Sequence, residues 1–223
     1  MSRSALAIVA SGKWRRFWLA LAVLIVVDTI AEYQLATPDH RRIGTALAIV
    51  FVVRGLGTLW MFVIGTRLAV PSRPPLRVVR GLLFAAVYEV VISGAFTLGA
   101  DVALKHSGLG SNRIGDVSTL AELLAFAPLA PWLTNLYATA QLRLGVAPHW
   151  RRWLPALLLA LCGTVFPLTL AHGALTDLGV AAHGIRAAAI GLIDGLLSTL
   201  LVGWQIALSS AAYLRVVGSA PAR

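Results

Sequence analysis

The chain has 223 residues, 58% of them apolar, and a mean hydropathy of +0.82. That is more apolar side chain than a soluble domain of this length can bury while still solvating its surface, so a soluble enzyme or soluble binding module is excluded. A net charge of +10 would suit nucleic acid. The basic residues, however, stand at the ends of apolar runs and no nucleic-acid motif surrounds them, so anionic lipid headgroups are the expected partner and nucleic acid is not.

Residues 1–16 interleave Ala5, Leu6, Ile8, Val9 and Trp14 with Arg3, Lys13, Arg15 and Arg16. This reads as an amphipathic segment lying in a membrane interface, with a frayed terminus as the alternative. The first apolar run, Phe17–Leu35, carries Asp28 and lacks a small-x-small cleavage site, so it reads as a span and not a signal peptide. The second, Thr45–Thr66, holds Arg54 beside Gly55 and Gly57, and Pro71-Ser72-Arg73-Pro74-Pro75 makes a stiff turn after it. The third, Val78–Ala100, holds Glu89. Lys105–Val117 is read as the longest external loop, and Thr119-Leu120-Ala121-Glu122 as a capping box that starts the fourth run, Thr119–Ala140. Pro128 and Pro131 there, and Pro155 and Pro167 in the fifth run, Trp153–Leu170, should bend helices or free carbonyls. Cys162 is the single cysteine and reads as a small apolar filler. The sixth run, Ala187–Ala212, carries Asp194 between Gly191 and Gly195.

Each run approaches the roughly 20 residues needed to cross about 30 Å of hydrocarbon. The expected fold is therefore all-α: one polytopic membrane domain over residues 1–223, a bundle of six transmembrane helices with no separate soluble domain. Threading the spans alternately puts the N-terminal segment, the second and fourth loops and the tail on one side. Together with Arg80 at the mouth of the third span, those segments hold thirteen of the nineteen Lys and Arg and none of the nine acidic residues. The other loops hold five, and Arg54 is within a span. That asymmetry predicts cytoplasmic termini in a cell membrane, here a bacterial inner membrane.

Asp28, Arg54, Glu89 and Asp194 are the candidate substrate-binding residues. An ionised side chain near the bilayer centre costs about 2.5–3.5 kcal/mol even on insertion-based scales, so all four should face the bundle interior. Arg54 is expected to pair with Glu89 first and with Asp28 second. At least one carboxyl is then left to exchange a proton or meet a ligand, unless the charges only fix helix register. Gly191 and Gly195 suit close helix approach.

His40, His106, His172 and His183 fall, with Asp39, Asp101, Asp116 and Asp177, in stretches read as loops on the opposite face. Their spacing matches no metal-ligand motif, and they read as solvated loop residues; no metal and no cofactor is expected. No nucleophile elbow, phosphate-binding loop or zinc-protease helix is present. Ala127-Pro128-Leu129-Ala130-Pro131-Trp132-Leu133, Tyr137-Ala138-Thr139-Ala140, Ala207 to Arg215 and the Lys13-Trp14-Arg15-Arg16 entry resemble the membrane domain attached to some bacterial glycerophosphodiester phosphodiesterases and its stand-alone six-helix relatives. The resemblance implies a helical membrane module without an established catalytic site; the soluble phosphodiesterase domain is missing, and that activity does not carry over. Three functions remain: a transporter or transport-complex subunit handling a small molecule or lipid, an assembly protein that binds a partner subunit or lipids, and an intramembrane lipid-modifying enzyme.

Overall fold

The computed structural model describes residues 1–35, 44–70, 111–139 and 150–218, with the single positions 83, 87, 91, 95, 99 and 102; of Arg54 and Glu122 it describes the backbone only. Everything regular among these residues is helical. In chain order the elements are α1 (Ser2–Val9), α2 (Gly12–Leu35), α3 (Gly44–Ala69), α4 (Ser111–Thr139), α5 (Trp150–Ala160), a π-helical turn (Leu161–Val165), α6 (Phe166–Val180) and α7 (Ile185–Gly218). Among the described residues, three stretches are long and apolar enough to cross a membrane: Gly12–Gln34, Trp153–Gly179 and Ile185–Val217. The chain is an all-helical integral membrane protein.

The central contact is between α2 and α7. A Cβ on Gly191 would stand 3.1 Å from Ile30 Cα, one on Gly195 2.7 Å from Val26 Cα, and one on Gly203 would strike the Trp18 ring. The α2 partners fall in number as the α7 positions rise, so the helices run antiparallel with their backbones close. Small residues permit this approach where lipid tails supply no hydrophobic drive to associate. On α2 the buried stripe is Trp14, Phe17, Leu21, Ile25, Thr29 and Tyr33, a step of three or four, while Leu19, Val23 and Val27 face outward. Both faces are apolar, so packing and not polarity decides which one is buried. Buried hydroxyls fold back on their own helices: Thr29 Oγ1 donates to the Ile25 carbonyl at 2.8 Å and Thr199 Oγ1 to the Gly195 carbonyl at 2.7 Å.

The basic residues Lys13, Arg15, Arg16, Arg67 and Arg215 lie toward one end of these helices, called here the basic end. There α1 forms and packs, with Ala5 fully buried in the cluster that holds Trp14, Trp153, Ala212 and Val216. Burial and the Arg215 guanidinium hold the Met1 amino group below its ordinary range. The N-terminal segment is thus a docked helix and not a frayed end. At the same end Tyr213 Oη donates to Asn135 Oδ1 at 3.1 Å, joining α7 to α4.

Two boundaries differ from the sequence reading. α4 begins at Ser111 and runs through Thr119–Glu122, so no helix starts at the expected capping box. Nothing in Ser111–Ser118 forbids helix, and a continuous helix satisfies its own backbone near lipid. The helix that holds the fifth apolar run continues to Val180 instead of stopping near Leu170, and so takes in His172 and Asp177. Within it, the π turn ends two residues before Pro167. A proline ring clashes with the carbonyl four residues earlier, at Gly163, and the wider turn relieves that clash. Thr164 lies in the same turn: its Oγ1 donates to the Ala160 carbonyl at 2.6 Å and accepts from Trp204 Nε1 at 2.8 Å.

Candidate functional site

Asp194 is completely buried on α7. Antiparallel packing brings it opposite the far end of α2 and the middle of α6, and both carboxylate oxygens find partners there. His172 Nδ1 lies 2.7 Å from Oδ1, and Tyr33 Oη donates to Oδ2 at 2.5 Å. Ser198, one turn along α7, places its Oγ 3.1 Å from the same His172 Nδ1. Thr176, one turn along α6, donates to the His172 carbonyl at 3.0 Å, and its oxygen sits 3.2 Å from Tyr33 Oη. Three helices therefore converge on one carboxyl. Asp194 lies nine residues from the start of α7 and His172 eight from the end of α6. At about 1.5 Å per residue both sit roughly 12–14 Å inside the far end of the helices.

The arrangement dictates where protons reside. An ionised carboxylate only accepts, so Nδ1 of a neutral imidazole carries the hydrogen and Nε2 keeps a lone pair. Nε2 has no hydrogen-bond partner among the described residues, and 28% of the His172 side chain is exposed. Asp194 thus orients the ring from behind, as a carboxylate does for a ligating histidine. Tyr33 is held against the same carboxyl by Gly179, where any Cβ would collide with its ring.

Ser198, His172 and Asp194 do not form a nucleophile relay. That relay needs the serine on one ring nitrogen and the carboxylate on the other, whereas here both approach Nδ1. Nor do three or more His, Cys, Asp or Glu lie close enough to hold a metal ion among the described residues.

Of the four residues expected from sequence, Asp194 is at the centre of this cluster. Asp28 is half-buried on α2, outside it. Glu89 and the Arg54 side chain lie outside the described residues, and the expected Arg54–Glu89 pair with them. His172 is a correction: it is not a solvated loop residue but a member of α6 that meets the buried carboxyl. Asp177 is likewise a member of α6 and not of a loop, though exposed, and His183 is exposed on the connection before α7. Tyr33, Thr176 and Ser198 were missed as well. The available signal was a pair of polar steps of four, His172/Thr176 and Asp194/Ser198, each placing two polar groups on one face of an apolar helix. Compared with known protein families, curated proteins and solved structures, the chain matches none.

Proposed function

We propose that this protein is a six-span protein of the bacterial inner membrane, with cytoplasmic termini, that holds or moves a small molecule or lipid at a polar site between its helices, as a transporter or transport-complex subunit. The observation that carries the reading is Asp194: a fully buried carboxyl at membrane depth, backed by His172, whose second nitrogen has no partner among the described residues. A pair that served only to fix register would be expected to satisfy both ring nitrogens. The π turn lower in the same span supports the reading, since such turns cluster at functional sites. The likeness to the membrane domain of glycerophosphodiester phosphodiesterases belongs to the same proposal. Lipids, and a partner membrane subunit, are the partners it implies.

The six-span count is supported by where helices end. Val70, just past α3, packs with Ala138 and Tyr213 at the basic end, where α4 also finishes. α4 therefore starts at the far end, as an odd number of crossings between Val70 and Ser111 would require. One crossing suits the apolar run Val78–Ala100, in which Leu83, Val87 and Val91 are exposed at steps of four. Single-cysteine labelling in a Cys162→Ser background tests the topology. Cysteines at positions 72 and 148 should be shielded from an impermeant external reagent and one at position 111 should react; the opposite pattern overturns the orientation.

The site is tested by thermal-shift screening of the purified protein against amino acids, nucleosides, organic anions and cations, and short-chain phospholipids. At least one class should raise the melting temperature of the wild type, with the rise lost in folded His172→Gln and Asp194→Asn. A ligand that stabilises both variants as well as the wild type binds elsewhere, and the site assignment fails.

A further inference from the structure

We propose that the His172–Asp194 pair binds a single proton at His172 Nε2, and that this proton is the coupling ion of the transport step. The inference rests on reading the cluster as a ligand-handling site and names the ion that drives it.

The charge balance points to a proton. With neutral imidazole, the cluster holds one negative charge on a carboxyl that solvent does not reach. Among the described residues, the groups around it on the packed elements do little to offset that charge. α2 contributes Asp28, Glu32 and the neutral Tyr33; α6 contributes Asp177; Arg186, at the start of α7, and His183, on the turn before it, are both exposed. Proton uptake converts the buried anion into an imidazolium–carboxylate pair with no net charge. A lone charge in a low-dielectric site is far costlier than a hydrogen-bonded pair. A metal ion would need further ligands, and no cluster of three is present among the described residues.

The chemistry is a simple transfer. The Nε2 lone pair takes H⁺ from hydronium, leaving water; Nδ1–H and the Asp194 carboxylate stay as they were; release reverses the step. Ser198 Oγ, 3.1 Å from Nδ1, offers the same N–H a second acceptor. The ring can therefore move off Asp194 without giving up its hydrogen bond, and a carrier needs some such second position if its ion is to be loaded on one side and released on the other.

The test is charge movement by the full chain, reconstituted in phosphatidylethanolamine–phosphatidylglycerol vesicles adsorbed on a solid-supported electrode. A step to acidic bath pH should give a transient current in the wild type and in His183→Gln. Folded Asp194→Asn and His172→Gln should show only the signal of protein-free vesicles. A wild type without current, or folded variants that keep it, overturns the proposal. Should Asp194→Asn not fold, ¹⁵N-histidine spectra of a protein with His40, His106, His149 and His183 replaced by glutamine decide. Nε2 must gain a proton on acidification while Nδ1 stays protonated; an Nε2 resonance that does not move overturns the proposal. The two readings fail separately. A small-molecule ligand lost in the site variants, with currents unaffected, removes the proton and leaves the transport site. Currents lost in those variants, with no ligand in the screen, support the proton site and remove the small-molecule reading.

Discussion

His172→Ala should destabilise the protein by about 3 kcal/mol, the upper end of what an unmade hydrogen bond to a buried group costs, because the acceptor is charged. The loss is large because Asp194 cannot reach water: it is completely buried and, among the described residues, would keep only the Tyr33 hydroxyl. Asp194→Asn alone should be much milder. The amide is isosteric and can still meet Tyr33 and His172, and a neutral interhelical hydrogen bond in a bilayer averages only about 0.6 kcal/mol. The double variant His172→Ala/Asp194→Asn should therefore be more stable than His172→Ala, because no charge is left stranded. Unfolding in mixed micelles, read as a double-mutant cycle, measures this directly. Strictly additive losses would mean that the two side chains are not coupled, and the site as described would be gone.

The sequence shows the helices well and the site poorly, for one physical reason. Apolar run length is set by bilayer thickness and is visible in any window, so α2, α3 and α7 contain the runs expected for them. Depth and facing are set by packing between distant segments, and no window reports that. His172 illustrates the point. Ala171-His172-Gly173 looks like the polar margin of a span because histidine and glycine lower local hydropathy, yet the helix continues to Val180. What His172 meets there is a carboxyl 22 residues away on α7, itself bonded by a tyrosine 161 residues from that carboxyl. Asp194 was legible because an acid inside a long apolar run is costly wherever it faces. Its partners were not, since tyrosine, threonine and serine are unremarkable near span ends. The glycines fall between the two cases. Gly191 and Gly195 read as packing residues from their spacing alone, while the contact of Gly179 with Tyr33 follows only from the fold.

Gly195→Ala sets helix propensity against backbone contact. In an open helical position, exchanging glycine for alanine gains about 1 kcal/mol, and Gly55, with nothing within 4 Å of an added Cβ, should show that gain. At Gly195 the same methyl would stand 2.7 Å from Val26 Cα, a backbone atom that can yield only if α2 and α7 move apart. Forcing a methylene into packed surroundings costs about 1–3 kcal/mol and sometimes more, so the contact outweighs the propensity and Gly195→Ala should lose stability. Gly195→Leu should lose considerably more. Gly191→Ala, at 3.1 Å from Ile30 Cα, should fall between Gly195→Ala and Gly55→Ala. The order of unfolding midpoints in mixed micelles checks the series. Separation also has a chemical consequence, because Asp194 is next to Gly195 and Tyr33 reaches it from α2. Whatever pushes these helices apart should weaken the Tyr33–Asp194 bond, and with it ligand-induced stabilisation, before the protein unfolds. If Gly195→Ala instead stabilises the protein as Gly55→Ala does, the two backbones are not in contact, and the packing that assembles the cluster is wrong.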